Sequence, residues 1–222
     1  MSIEPKKSMP GPSTRSLLQL PGAIALKRLL QSVAMLDAVI CPEWERRYYS
    51  FNANWAADEM MGSMRNGQGD EFFALFNRHG VFIKGFDHES IVASLKLPCE
   101  QFYRNLPHQL SACSIEPALS PELVTFCLWR LSEESGWSCA KIALPPSEDN
   151  DGSAYLLAIL DCSPETYLRW ATEYYESEVS AQAVIAVYEH RALTEEIVAA
   201  LNPTRSLASL REDIAEIGYP AR

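Results

Sequence analysis

The residues best suited to chemistry lie in one short stretch of the chain, MRNGQGDEFFALFNRHGVFIKGFDHES, which runs from residue 64 to residue 90. Carboxylates and imidazoles are the side chains that carry general acid–base catalysis or bind a divalent cation. The candidate catalytic residues here are Asp70, Glu71, Asp87 and His88. They make a hydrolase, or another metal-dependent enzyme, one hypothesis for the function of the protein.

The elements that must position these residues are predicted to be three strands of a meander. EMMGSMR, EFFALF and VFIKGF are apolar runs, and turns containing Asn and Gly separate them. The start of the second strand and the end of the third strand lie at the same end of such a meander, so we expect the four candidate residues to share one rim. His79 lies in the opposite turn, roughly 20 Å away along the strand.

A structural interpretation of the same residues is also possible. Asp87 would cap the following helix, with His88 and Glu89 in its first turn, and Asp70 would stabilise the Asn-Gly turn. We favour this interpretation over the catalytic one. The sequence contains neither a G-x-S-x-G motif nor a phosphate-binding loop around Gly67 and Gly69.

The six cysteines are spread singly along the chain, without a CxxC motif. This pattern is typical of small core residues rather than of a redox site. Cys99, His108 and Cys113 lie close together in the sequence, but a fourth ligand and a zinc-like spacing are missing. We therefore predict no metal site and no cofactor.

A second candidate site combines aromatic and acidic residues. A helix predicted to start at Ser163 carries Trp170 and Tyr174, which are residue types favoured as binding anchors. The acids beside them suit a basic partner protein. The candidate partner-binding residues are Trp170, Tyr174, Glu173, Glu176 and Glu178. A further strand is predicted over RRYYSFNANW, before the meander. The aromatic residues in and beside it are Trp44, Tyr48, Tyr49, Phe51 and Trp55.

The charge of the chain is negative and unevenly placed. The formal net charge is −10, which repels the phosphate backbone of nucleic acids, so we predict no nucleic-acid partner. Residues 148 to 222 carry five basic and fourteen acidic residues, whereas residues 1 to 47 carry seven basic and four acidic ones. Such an acidic region is usually a solvated face, but it also suits the capture of a basic protein.

The pattern of apolar residues predicts an α+β fold. We expect an antiparallel, meander-containing sheet of about four to six strands, built mainly from residues 46 to 86 and 137 to 161 and covered by N- and C-terminal helices. WSCAKIALPP and AYLLAIL are predicted as strands in the second of these regions. Helices are predicted over residues 22 to 40 and from Ser120, Ser163, Ala181, Thr194 and Ser206 onward.

The predicted organisation is a flexible N-terminal tail over residues 1–20, rich in Pro and Ser, followed by a single domain over residues 21–222. The apolar run GAIALKRLLQSVAMLDAVI is interrupted by Lys27, Arg28 and Asp37, so it falls short of a membrane span. It is also too charged for a signal peptide. We therefore expect a cytoplasmic protein without a membrane partner.

Several segments together resemble a family of uncharacterised bacterial proteins. They are RRYYSFN, MRNGQGDEFF, IKGFDHES, TFCLWR and LASLREDIAEIGYP. The resemblance implies a bacterial, soluble, single-domain protein, and it carries no catalytic residue or cofactor. Our first hypothesis is therefore a non-enzymatic protein-binding module, in its most concrete form an immunity- or antitoxin-like inhibitor of a basic protein. The enzyme with an Asp/Glu/His rim is the alternative.

Overall fold

The computed structural model describes residues 11–144 and 149–222. The strands are β1 (Tyr49–Ala56), β2 (Glu59–Arg65), β3 (Glu71–Asn77), β4 (Gly80–Phe86), β5 (Phe126–Leu131) and β6 (Ser138–Cys139). The α-helices are α1 (Ala23–Ile40), α2 (Ile91–Leu95), α3 (Ser153–Leu156), α4 (Pro164–Tyr174), α5 (Ala181–Tyr188), α6 (Glu195–Leu201) and α7 (Arg211–Ile217).

The sheet is an antiparallel meander in which each strand pairs with the next one in the sequence, from β1 to β6. Its strand β3 is apolar on both faces. Phe72, Ala74 and Phe76 are buried in one hydrophobic core, and Phe73 and Leu75 in a second core across the sheet. Successive side chains of a strand point to opposite faces, so β3 supports both cores. The predicted α+β fold is confirmed.

Helix α1 covers the first face of the sheet. Leu26, Leu30 and Val33 recur at helical spacing and are fully or almost fully buried against it. The helices α5, α6 and α7, from the C-terminal part of the chain, pack around α1. This face therefore joins both ends of the described chain in one core.

Short 3₁₀ turns between residues 99 and 119 cover the second face. Phe102, Leu110 and Leu119 from these turns pack in one core with Phe82 and Trp129 of the sheet. Pro107 and Pro117 stand between successive turns, and one continuous α-helix across them would lack the N–H groups that its interior hydrogen bonds need. An irregular segment thus buries the second face of the sheet.

The helix predicted from Ser120 is wrong, because the following apolar run forms strand β5. Ser120 itself has a positive φ of 47° and ends the preceding 3₁₀ turn. Phe126 and Leu128 enter the first core, while Cys127 and Trp129 enter the second. As a strand paired with β4, this run buries apolar side chains in both cores. The stability gained by this burial exceeds the local preference for a helix that starts at Ser120.

The strand predicted over AYLLAIL is also wrong, since this run forms α3 and a 3₁₀ turn. The Asp149 carboxylate accepts hydrogen bonds from the backbone N–H groups of Ala154 and Tyr155. Asp151 Oδ1 accepts another from Ser153 N. These carboxylates satisfy N–H groups that begin the helical turn. The last two strands of the sheet are β5 and β6, and β6 lies within the predicted strand WSCAKIALPP.

The second half of the predicted tail packs against the domain. Thr14 Oγ1 donates to Asp151 Oδ2 at 2.6 Å, and Thr14 N donates to Ser153 Oγ at 3.1 Å. Leu20 is buried, and the indole of Trp137 donates to the carbonyl of Pro21. The first ten residues of the predicted tail lie outside the described residues.

Helix α1 carries Lys27 and Arg28 in its first half and Asp37 in its second. Within the described ranges, none of the helices combines the length and the apolar character needed to cross a membrane. The cytoplasmic location stays a prediction.

Candidate functional site

Asp70 and His88 meet at one end of the meander. Asp70 precedes β3 and His88 follows β4, and the pairing of Glu71 with Phe86 brings these two strand ends together. Asp70 Oδ1 accepts hydrogen bonds from the backbone N–H of His88 at 3.0 Å and from its ring atom Nδ1 at 2.6 Å. Among the described residues, none forms a hydrogen bond with the ring atom Nε2, and the His88 side chain is 41% exposed.

Asp87 is the third member of this cluster. One ligand atom each from Asp70, Asp87 and His88 can be chosen so that all of them lie within 4.8 Å of one another. Burial raises the pKa of Asp87 above its ordinary value, and the charge of Asp70 adds to the effect. The sequence prediction of a shared rim therefore holds in the structure for these three residues.

Asp70 also stabilises the turn between β2 and β3. Its Oδ2 accepts the side-chain N–H of Asn66, while Asn66 Oδ1 accepts the backbone N–H groups of Gln68 and Asp70. Partial burial acts to raise the pKa of Asp70, but the hydrogen bonds from His88 and Asn66 outweigh it and hold this pKa below its ordinary value. Both carboxylate oxygens are thus engaged in the fold, as the structural interpretation expects.

Glu71 does not join the rim. It lies one residue further along the chain, so its side chain points to the other face of the sheet. There it accepts a hydrogen bond from Lys84 Nζ at 3.0 Å, and Lys84 also donates to the carbonyl of Leu119 at 2.8 Å. Burial lowers the pKa of Lys84, and the charge of Glu71 opposes this shift. Glu71 therefore neutralises a buried cation.

The cap of α2 is Ser90 rather than Asp87. Ser90 Oγ accepts the backbone N–H of Ala93, and its hydroxyl donates to the Asp87 carbonyl. The Asp87 carboxylate accepts the N–H of Glu89 instead. His79 lies in the turn between β3 and β4, at the opposite end of these strands, as predicted.

The Asp70–His88 pair can orient an imidazole. Its hydrogen bond to Asp70 is the main cause that raises the pKa of His88 above the ordinary value. A carboxylate that holds Nδ1 leaves Nε2 as a base or as a metal ligand. Over the described ranges, His88 makes no hydrogen bond to a serine, threonine or cysteine. Binding of a cation is thus the chemistry that this cluster supports best.

The second candidate site is an aromatic surface formed by Tyr48, Tyr155, Trp170 and Tyr174. Trp170 is half-buried, whereas Tyr155 is 58% and Tyr174 41% exposed. The ring of Tyr174 stacks on Trp170, with centroids 5.2 Å apart and an interplanar angle of 13°. Tyr48, Tyr155 and Trp170 line a cavity of about 250 Å³. The two predicted anchors therefore belong to a larger aromatic cluster.

Asp37 lies beneath this surface. It is completely buried in α1, where Oδ1 accepts the Tyr167 hydroxyl at 2.7 Å and Oδ2 accepts the backbone N–H groups of Tyr48 and Tyr49. Burial raises the pKa of Asp37 to about 6, against the effect of these hydrogen bonds. The aromatic surface is thereby anchored to the central helix.

The predicted acidic residues border the aromatic surface unequally. Glu173 lines the same cavity as Trp170, together with Arg169. Glu176 and Glu178 are exposed in the turn that follows α4. Glu173 therefore borders the aromatic surface, where Arg169 partly offsets its charge, and the other two acids follow it in the sequence.

Tyr48 connects the two candidate sites. Its ring lies 4.9 Å from those of Trp170 and Tyr174, and its carbonyl accepts the N–H of Arg65, next to the turn that Asp70 stabilises. Burial, nearby tyrosines and the charge of Asp70 raise the pKa of Tyr48. The sequence shows Tyr48 only as one aromatic among many. Tyr155 carries no sequence signal for this site.

Comparison of the chain with protein-family models, with curated proteins and with solved structures found no match.

Proposed function

We propose that this protein is a non-enzymatic protein-binding module and that its docking surface is the aromatic surface. The observation that carries the proposal is the stack of Tyr174 on Trp170, with Tyr155 exposed beside the same cavity. Aromatic side chains held in place by their neighbours offer a large contact area and lose little conformational entropy on binding.

The partner that suits this surface is a basic protein. Glu173 lines its cavity, Glu176 and Glu178 are exposed in the turn that follows α4, and residues 148 to 222 carry nine more acidic than basic residues. Opposite charge accelerates association and selects among partners. An immunity- or antitoxin-like inhibitor of a basic bacterial toxin is the most concrete form of this proposal.

The test compares two triple variants with the same change of net charge. The first carries Glu173→Gln, Glu176→Gln and Glu178→Gln, and the control carries Glu100→Gln, Glu133→Gln and Glu134→Gln, all of which are exposed acids elsewhere. A partner is first isolated by affinity capture with the wild-type chain, and its binding is then measured by calorimetry with purified components.

We expect the first triple variant and Tyr174→Ala each to weaken binding about tenfold or more, which corresponds to roughly 1.4 kcal/mol. The control triple variant should bind nearly as the wild type does. Equal losses in both triple variants would show that net charge, rather than this surface, determines binding. Unchanged binding in all variants would refute the proposed surface.

A metal-dependent enzyme that uses Asp70, Asp87 and His88 is the second candidate function. The proximity of their ligand atoms favours it, and the involvement of both Asp70 oxygens in the turn stands against it. Calorimetric titration with Zn²⁺, Mn²⁺ and Mg²⁺ tests this candidate. Stoichiometric binding that is lost in His88→Ala and Asp87→Asn, but kept in His108→Ala, would favour the enzyme. Equal binding in all variants would exclude this site.

A further inference from the structure

A wide cavity opens where α1 begins, and none of the candidate catalytic or partner-binding residues lines it. Its volume is about 800 Å³, and its wall combines the first residues of α1 with residues of β5 and of the segments that follow β5 and precede α4. The apolar part of the wall includes Ile24, which is 75% exposed, and Leu29. The size and the apolar wall suit a small organic molecule.

Two arginines give this cavity a positive charge. Arg28 reaches it from α1 and Arg130 from β5. No aspartate or glutamate is among the described residues that line it. The pKa of His190 is lowered, first by burial and then by the nearby positive charges of Arg28 and Lys27. The charges of Asp161 and Glu165 act on Tyr188 of the same wall. The residues that line the cavity nevertheless carry two positive charges and no negative one, on a chain whose formal net charge is −10.

Neither arginine has a partner for its charge within the described residues, unlike several other basic residues of this protein. Arg47 and Arg205 pair with Asp213, and Lys84 pairs with Glu71. For Arg28 and Arg130, no salt bridge and no side-chain hydrogen bond forms across the ranges 11–144 and 149–222. What distinguishes Arg28 and Arg130 is that both line one cavity, on a chain with ten more acids than bases.

Further donors border the same space. Gly22, the N-cap of α1, and Ala23 line the cavity, and neither a capping side chain nor an acidic residue occupies the first turn of this helix. The partial positive charge of the helix start adds to that of the arginines. Ser132, which is exposed after β5, also lines the cavity, but its hydroxyl donates to the carbonyl of Arg78 at 3.2 Å.

We propose that this cavity binds an organic phosphate, with the phosphate held by Arg28 and Arg130 and an apolar substituent against Ile24 and Leu29. Guanidinium groups match phosphate oxygens in charge and hydrogen-bond geometry. A phosphate carries more charge than a carboxylate and accepts from more donors, which suits two arginines and a helix start. The site is independent of the aromatic surface.

Cys162 provides a readout of occupancy at the cavity itself, because its exposed thiol lines the same wall. The probe is phenyl phosphate, and inorganic phosphate, benzoate and benzyl alcohol serve as comparison compounds. Alkylation of Cys162 by iodoacetamide is followed by mass spectrometry of the peptides, with the half-exposed Cys99 as an internal reference.

We expect phenyl phosphate to slow the alkylation of Cys162 several-fold and to leave Cys99 unchanged. Benzoate and inorganic phosphate should protect more weakly, and benzyl alcohol should not protect. Arg28→Gln and Arg130→Gln should each weaken binding of phenyl phosphate about tenfold or more, because each removes a charge-assisted contact. Arg104→Gln is the matched control, since Arg104 is exposed and lies outside the cavity.

Absence of protection by phenyl phosphate at millimolar concentration would overturn the proposal. An equal effect of Arg104→Gln would also overturn it, because the attraction would then be non-specific. Protection by benzyl alcohol as strong as that by phenyl phosphate would show an apolar pocket without a role for the arginines. Circular dichroism of the three variants checks that each keeps the wild-type fold.

Discussion

The carboxylate of Asp37 accepts the hydroxyl of Tyr167 at 2.7 Å and thereby joins the second half of α1 to α4 inside the core. The other carboxylate oxygen accepts the backbone N–H groups of Tyr48 and Tyr49, at the start of β1. One buried side chain thus ties together three elements that carry the aromatic surface.

Replacement of this acceptor should destabilise the protein strongly. Asp37→Ala leaves three buried donors without a partner, and we expect it to lower the free energy of unfolding by about 3 kcal/mol or more. Asp37→Asn keeps an acceptor oxygen for the two backbone groups, so its loss should be clearly smaller. Urea denaturation of both variants measures the difference. Equal stability of Asp37→Ala and the wild type would contradict the assigned network.

The stability of the wild type should depend on pH through Asp37. Its pKa is about 6 in the folded protein and 3.8 as the reference value, so the folded state binds the proton more tightly. Above about pH 6, Asp37 is charged in the folded protein, and its buried charge lowers the stability. As the pH falls from about 6 towards 3.8, Asp37 takes up a proton in the folded protein and this loss of stability disappears.

Between about pH 7.5 and about pH 5, the wild type should gain roughly 1.4 kcal/mol relative to Asp37→Asn, which does not titrate. The comparison with this variant removes the contributions of the other carboxylates. Parallel pH profiles of the two proteins would show that Asp37 does not titrate in this range.

The pair of Lys84 and Glu71 is predicted to respond unequally to the loss of either partner. Glu71→Gln leaves the buried Lys84 ammonium without a countercharge and should cost about 3 kcal/mol of stability. Lys84→Met removes the buried charge and keeps much of the volume, so its effect should be clearly smaller. Glu89→Gln, at an exposed position, is the control in thermal and urea unfolding. Equal losses in the two variants would contradict this asymmetry.

The pKa of His88 should depend on Asp70. Asp70→Asn removes the negative partner of Nδ1, so we expect the pKa of His88 to fall towards about 6.5, its ordinary value. The pKa of His88 is raised in the folded wild type. The contribution of the His88–Asp70 pair to stability is therefore present at low pH and is lost as the pH rises through the folded pKa. An NMR titration of the imidazole measures the shift. An unchanged pKa of His88 in the variant would show that Asp70 does not cause the shift.

Local sequence patterns were sufficient for the meander. Alternating apolar residues in EFFALF predict a strand that is covered on both faces, and Phe72 and Phe73 do enter opposite cores. The turns predicted between the strands place Asp70 and His88 at one end because antiparallel pairing relates strand ends directly. Helix α1 follows in the same way from the helical spacing of its leucines.

Local sequence patterns predicted the wrong secondary structure where long-range contacts favour another one. The run after Ser120 begins like a helix but becomes β5, because β4 offers an unpaired edge and two cores to fill. The run around Tyr155 looks like a strand, but the carboxylates of Asp149 and Asp151 start a helical turn there. Such contacts between segments do not appear in a single window of sequence.

The sequence by itself determined the fold class, the meander of β2, β3 and β4 and the proximity of Asp70 to His88, since these depend on periodicity and on pairing between neighbours. Only the tertiary structure decided that Glu71 neutralises Lys84, that Asp37 supports the aromatic surface, and that Arg28 and Arg130 share a cavity. Each of these relationships joins side chains from elements whose relative placement is set by packing of the cores, and no local spacing encodes that placement.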